Sequence, residues 1–329
     1  MTTTPVSALS TPFSKQFNIP YPIVCAPMFL VSEENMVIQT CNAGALGTFP
    51  ALNFRPIERY REAIKTIKSN TQKPFGINII VQQSNRFQHE QLDIALQEKV
   101  ALIITSLGSP RDTIKKAHAA GTKVYCDVIN LDYAKKVIDL GADGLIAVGA
   151  GAGGHAGDTS LFALVPYLKR HIKLPVLAAG GIVDGFGMLA AMALGADGVY
   201  MGTRFIATKE ANVSDDYKNA IVLAEPEDIV STDRVDGFPG NFILTPKLEQ
   251  HGIKDGAIES LLKRSKKFKR WIALARAARS LLGNPKDKLS YKTIFSAGHG
   301  VGLIDKIESI DHIIQETMSE YYQLKQQLP

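Results

Sequence analysis

The sequence predicts an α/β fold of eight strand–helix units closed into a barrel, with a C-terminal, mostly helical extension. Three observations carry that reading. Eight short apolar runs recur, at Ile23–Ala26, Ala45–Phe49, Phe75–Val81, Leu102–Ser106, Lys123–Val128, Gly144–Val148, Pro175–Ala179 and Gly198–Met201. Their starts lie 22, 30, 27, 21, 21, 31 and 23 residues apart, which suits parallel strands that each return through a helix and two loops. Two near-identical phrases, Leu140-Gly-Ala-Asp-Gly144 and Leu194-Gly-Ala-Asp-Gly198, read as helix ends capped by glycine before a tight turn into a strand.

Between the runs, amphipathic periodicity predicts helices at Pro56–Lys68, Phe87–Lys99, Pro110–Ala120, Leu131–Leu140, Ser160–His171 and Asp184–Leu194. Eight units fit a (β/α)8 TIM barrel better than an open doubly wound sheet, where about six strands are more usual. Residues just after each strand of such a barrel line its catalytic face. That rule gathers Ala26-Pro27-Met28, Asn78, Thr105-Ser106, Asp127, Gly149–His155, Gly180-Gly181 and Gly202-Thr203-Arg204 around one mouth. Beyond Phe205 the alternation stops. The expected division is a barrel of residues 1–209 with 290–329, and a helical extension or lid of 210–289. In the C-terminal part, Phe295–Gly302 reads as a turn and Asp305–Leu328 as a last helix.

A hydrophobic fraction of 45% and a charged fraction of 21% belong to a soluble globular protein. Cys25, Cys41 and Cys126 are scattered without paired or metal-binding spacing, so they read as buried thiols. No stretch approaches the ~20 apolar residues of a membrane helix, and the N-terminus lacks a basic start and an apolar core. The expected location is the cytoplasm. The net charge of +5 is uneven: Lys263 to Lys288 holds ten Lys or Arg and one acid, leaving the rest near −4. A solvated helix face explains this, and a docking patch for an acidic or phosphate-bearing partner is the functional alternative. Nucleic acid is not expected, because no aromatic platform or binding motif accompanies the charge.

The stretch Val148–Gly157 is the most informative loop. Glycines let a backbone approach something closely, and one imidazole, His155, projects from them. Gly149, Gly151 and Gly154 fit G-x-G-x-x-G, but His155 to Ser160 intervene before helical periodicity begins, so the dinucleotide fingerprint matches weakly. Gly180, Gly181, Gly202 and Thr203 follow the seventh and eighth runs, where TIM barrels often hold a phosphate on backbone amides. Tight turns, with Thr203 and Arg204 merely starting a helix, are the plainer reading. Asp127 reads as a mouth residue or a turn former. His89, His118, His171, His251 and His312 read as surface residues.

The segments Ala26–Met28, Phe75–Asn78, Ala152–His155, Ala178–Gly185 and Gly202–Phe205 together resemble the nitronate monooxygenase family, formerly called 2-nitropropane dioxygenases. The likeness runs from about Ile19 to Phe205, with an echo at Gly237–Phe242 and Ser296–Gly302. The wider FMN-dependent group also includes flavin enoyl-carrier-protein reductases and NADH-dependent quinone reductases. The resemblance implies FMN as cofactor, with its ring over Ala26, Pro27 and Met28 and a hydrogen bond from Asn78. It also implies contacts from Gly153 and Gly154, and a ribityl phosphate on Gly180, Gly181, Tyr200, Met201, Gly202 and Thr203. His155 would act as catalytic base or orient the substrate. Two departures stand out: Val148 and His299 each occupy a place where many relatives carry glutamine. The activity implied is oxidation of alkyl nitronates with O2. The alternatives are NAD(P)H-dependent reduction of quinones or enoyl thioesters, and a phosphate-binding barrel without redox function.

Overall fold

The computed structural model describes residues 7–82, 84–235, 237–253 and 294–327. Eight parallel strands close on themselves: β1 (Ile23–Cys25), β2 (Leu46–Pro50), β3 (Gly76–Ile80), β4 (Leu102–Ser106), β5 (Lys123–Val128), β6 (Gly144–Val148), β8 (Val176–Ala179) and β9 (Gly198–Met201). The last strand pairs with the first through Val24↔Tyr200 and Cys25↔Met201, so the barrel has no edge. Four of the eight strands span the very residues the apolar runs predict.

Alternation along the strands separates an inner core from an outer one. Val24, Leu46, Leu102, Ile104, Tyr125, Ile146 and Leu177 point inward and pack with Phe13 and Phe17 of a short helix, α1 (Pro12–Phe17). This helix closes the end of the barrel opposite the mouth. Its N-cap Thr11 forms a capping box with Ser14, and Gln16 accepts the Tyr125 hydroxyl at 2.7 Å. Gly144 makes room for that tyrosine, because a Cβ there would lie 2.2 Å from the ring. Outward residues such as Ile23, Val199 and Met201 pack under the surrounding helices.

Those helices are α2 (Glu34–Asn42), α3 (Ile57–Asn70), α4 (Gln88–Gln97), α5 (Arg111–Ala119), α6 (Leu131–Asp139), α7 (Leu161–His171) and α8 (Gly185–Ala193). The repeated Leu-Gly-Ala-Asp-Gly phrases build the same joint twice. Gly141 and Gly195 take positive φ at +98° and +103°. Asp143 then accepts the Val124 amide and Asp197 the Val176 amide, each at 2.9 Å, while Lys123 and Lys169 pair with the two carboxylates.

After β9 comes a four-residue helix, α9 (Thr203–Ile206), then α10 (Asp215–Leu223). The extension also contains a hairpin, β10 (Ile229–Thr232) with β11 (Gly240–Ile243), followed by α11 (Pro246–His251). β11 pairs with β7 (Gly154–His155) of the glycine loop, so the extension reaches over the mouth. The last helix, α12 (Ile310–Gln327), packs against α8 and α2 and fills the place of an eighth barrel helix. The basic stretch Lys263–Lys288 lies outside the described residues. Among the described residues no helix is long and apolar enough to cross a membrane.

Candidate active site

The strand-end segments that the sequence places at the mouth are there, except that two side chains turn away from it. Thr105 bonds Cys126 Sγ at 3.2 Å on the outer face, and Arg204 bonds Lys306 O. The turn after β1 is locked by side chains: Ser32 Oγ accepts the Met28 amide at 3.0 Å and donates to Ala26 at 2.9 Å. Asn53 adds bonds to the carbonyls of Met28 and Ser32 at 3.1 and 2.8 Å. Across the barrel seam a Cβ on Gly202 would sit 3.6 Å from Met28 Sδ and 3.7 Å from Ala26 Cβ. Ala26, Met28 and Gly202 therefore share one wall, with Pro27 between the first two.

The opposite wall carries a polar relay. Asn78 Nδ2 donates to Ser106 Oγ at 2.7 Å and to Ile104 O at 3.3 Å, which spends both amide hydrogens and leaves the carbonyl Oδ1 as the atom it can offer. Ser106 Oγ donates in turn to Asp127 Oδ2 at 2.6 Å. Asp127 is not a turn residue: it lies within β5, and its other oxygen, Oδ1, is buried with no hydrogen-bond partner. Burial pushes its carboxyl up to about 6, against the Ser106 hydrogen bond and the nearby His155, which both pull it down. Tyr200 points into the barrel, and burial, with Asp127 and Cys25 nearby, holds its hydroxyl well above the usual range. Val148, where relatives carry glutamine, packs into the same inner cluster. Met201, by contrast, faces the outer core, so it can offer the mouth only its backbone.

His155 is exposed at the rim on β7, across from Gly240, with the Phe238 ring edge-on at 5.7 Å. The loop beneath it is clamped by Asn241 of β11, whose amide donates to Ala150 O at 2.8 Å and Ala152 O at 2.7 Å. Sequence reasoning carried Asn241 only within the Gly237–Phe242 echo and gave it no role, because the loop it clamps lies 89 residues away in the chain.

Some of the glycines serve the chain itself. A Cβ on Gly153 would lie 2.8 Å from the Ala297–Gly298 backbone, and one on Gly298 2.3 Å from Gly151 O. Gly180, at φ +128°, approaches Ala152 N in the same way at 2.8 Å. Three glycine-bearing turns thus stack on one another, joined by His299 N donating to Gly151 O at 3.2 Å and Gly298 N to Thr203 Oγ1 at 3.0 Å. The His299 side chain is exposed beside them.

Other positions leave room for a ligand. A Cβ on Gly181 (φ +71°) or on Gly154 (φ +65°) would meet nothing within 4 Å. The amides of Gly181, Gly202 and Thr203 donate to no acceptor among the described residues. An anion of phosphate size suits such a group of free donors. The N-terminus of α8 does not compete for that role. Asp184 already accepts the Gly187 amide and Glu320 of α12 the Gly185 amide, both at 2.8 Å. Arg204 turns away, bonding Lys306 O and Glu308, and so anchors the approach to α12.

The other sequence-predicted residues have plainer roles. His89, His118, His171 and His312 are exposed, His118 being paired with Asp143 at 2.8 Å. The side chain of His251 lies outside the described residues. The three cysteines are buried, and burial pushes the thiols of Cys41 and Cys126 up to about 12. A groove of about 540 Å³ between α6 and α7, lined by Ile129, Phe162 and Tyr167, opens on the outer wall of the barrel.

Comparison with known proteins decides the family. The nitronate monooxygenase pattern matches residues 10–320. The chain belongs to the nitronate monooxygenase family. It is an oxidoreductase of that family, and its closed eight-stranded barrel is the family's TIM barrel. A nitronate monooxygenase from Paraburkholderia phytofirmans is 31% identical over 247 residues, 61% of this chain and 67% of that protein. The (3aS,4S,5R,7aS)-5-hydroxy-7a-methyl-1-oxo-octahydro-1H-indene-4-carboxyl-CoA dehydrogenase of Rhodococcus jostii is 34% identical over 264 residues, 79% of this chain and 74% of that one. Among solved structures, FabK from Thermotoga maritima superposes with a TM-score of 0.83 at 31% identity, covering 97% of this chain and 98% of its own. The nitroalkane oxidase of Streptomyces ansochromogenes shares the fold, with a TM-score of 0.77 at 24% identity over 97% of this chain and 100% of its own.

Proposed function

We propose that this chain is an FMN-dependent enzyme that oxidises alkyl nitronates with O2. The observation that carries the proposal is the convergence, at one barrel mouth, of free amides at Gly181, Gly202 and Thr203 with the imidazole of His155. One phosphate fits those donors, and nothing in the chain resembles a module for a second nucleotide. FMN, when bound, supplies the redox chemistry. The chain's part is to hold and orient it. Gly180, Gly181, Tyr200, Met201, Gly202 and Thr203 receive the phosphate end, largely through backbone. Ala26, Pro27 and Met28 support the ring, Asn78 offers Oδ1 to a flavin N–H, and Gly153 and Gly154 border the cofactor. His155 handles a proton or recognises the nitronate anion, a role for which imidazole suits neutral pH. The proposed division of labour follows: residues 1–209 with 290–329 hold FMN, and 210–289 form the extension that brings β11 to His155.

The 34% identity to a carboxyl-CoA dehydrogenase favours a second reading, an NAD(P)H-dependent flavin reductase of enoyl thioesters or quinones. Purified protein should be yellow, and the released cofactor should have the mass of FMN. Oxygen uptake with an alkyl nitronate, without NAD(P)H, supports the first reading. NAD(P)H oxidation driven by a crotonyl thioester or a quinone, with no nitronate activity, replaces it by the second.

A further inference from the structure

The site holds one group that the proposed chemistry does not use. Asp127 projects from β5 into the barrel, with Oδ2 fixed by Ser106 and Ser106 fixed by Asn78. Its Oδ1 is buried and unpartnered. A carboxylate with one oxygen desolvated and unpaired is costly, whereas the neutral acid is much less so. We propose that Asp127 is a specificity-determining residue: ionised, it disfavours an anionic substrate in the mouth, and protonated, it admits one. The proposal deepens the nitronate reading and rests on it, since a nitronate is an anion whereas a quinone is neutral.

The groups facing Asp127 set its balance. Ser106 on β4 donates to it, and His155 on β7 contributes favourable charge. Cys126 beside it on β5 and Tyr200 on β9 are kept neutral by burial, with Asp127 adding to the effect, so neither brings a second negative charge to the mouth. The outcome is a carboxyl pushed up to about 6 by burial, within reach of ordinary working pH. Below that value the mouth loses a negative charge. Above it an incoming anion meets one, across an interior where charges are poorly screened.

Two measurements on the full-length protein test this. The first is infrared difference spectroscopy of flavin-free protein against Asp127→Asn, titrating the protonated carboxyl band. It should disappear with a midpoint near 6, and a midpoint in the usual Asp range near 3.9 overturns the proposal. The second is KM for an alkyl nitronate as a function of pH. It should rise about tenfold as Asp127 ionises, the equivalent of about 1.4 kcal/mol, and Asp127→Asn should flatten the rise. Ser106→Ala removes a bond that favours the carboxylate, so it should shift both transitions to higher pH. A rise in KM that persists unchanged in Asp127→Asn refutes the proposal. Absence of nitronate turnover at every pH, with the carboxyl still titrating near 6, defeats the substrate reading and not the charge at Asp127.

Discussion

Asn241 should be the keystone of the glycine loop, and its replacement tests how that loop is held. The residue is 3% exposed, and its two amide hydrogens go to the carbonyls of Ala150 and Ala152 at 2.8 and 2.7 Å. Each such bond contributes about 0.5–1.5 kcal/mol net, so Asn241→Ala should cost about 1–3 kcal/mol. Asn241→Asp is the sharper probe. An ionised carboxylate has no hydrogen to donate and would face two carbonyl oxygens, so at neutral pH it should destabilise more than alanine. Protonation restores one donor, and the gap between the Asp and Ala variants should therefore close as pH falls below about 4. Urea unfolding gives the order of stabilities, and hydrogen exchange at the Ala150 and Ala152 amides reports the loop itself. An Asp variant as stable as the parent at neutral pH, or an Ala variant with unaltered loop protection, refutes the clamp.

Other predictions concern the barrel and the rim. His155→Ala should lower turnover by about 10²–10⁴-fold while leaving the protein yellow, and loss of flavin in place of rate would make the residue structural. Gly144→Ala should destabilise by about 1–3 kcal/mol or more, because the new Cβ would lie 2.2 Å from the Tyr125 ring; an unchanged denaturation midpoint contradicts the packing. At Asp143 burial pushes the carboxyl up, but Lys123, the Val124 amide and His118 together hold it below the usual range. The folded state thus prefers the ionised form. Its stabilisation is complete above the unfolded Asp value near 3.9 and is lost as pH falls through the folded value. Asp143→Asn should lower stability at neutral pH and flatten the acid limb of a urea-midpoint profile.

The strands were legible because parallel strands, buried on both faces, are written as continuous apolar runs. The Leu-Gly-Ala-Asp-Gly joints were legible because a glycine at positive φ marks a helix end, although the carboxylate's grip on a neighbouring strand is not visible in one dimension. α1 and α2 went unread: α1 is six residues long, and α2 carries polar residues on most of its length. The hairpin of the extension was hidden by its short strands, Ile229–Thr232 and Gly240–Ile243, within a stretch that otherwise reads as helical and polar. At the site, residue type and position after a strand located the mouth. They could not separate glycines that leave open space, such as Gly181, from those required by another backbone, such as Gly153 and Gly180. Nor could they find Asn241, which acts on a loop 89 residues away.

If this mouth holds FMN and passes it electrons from a nitronate, anaerobic addition of an alkyl nitronate to the purified protein, followed through the flavin absorbance, tests both parts at once. The expected result is a yellow protein that is bleached by the nitronate alone and regains its colour when O2 is admitted. A colourless protein, or a bound flavin that NAD(P)H bleaches and the nitronate does not, contradicts it.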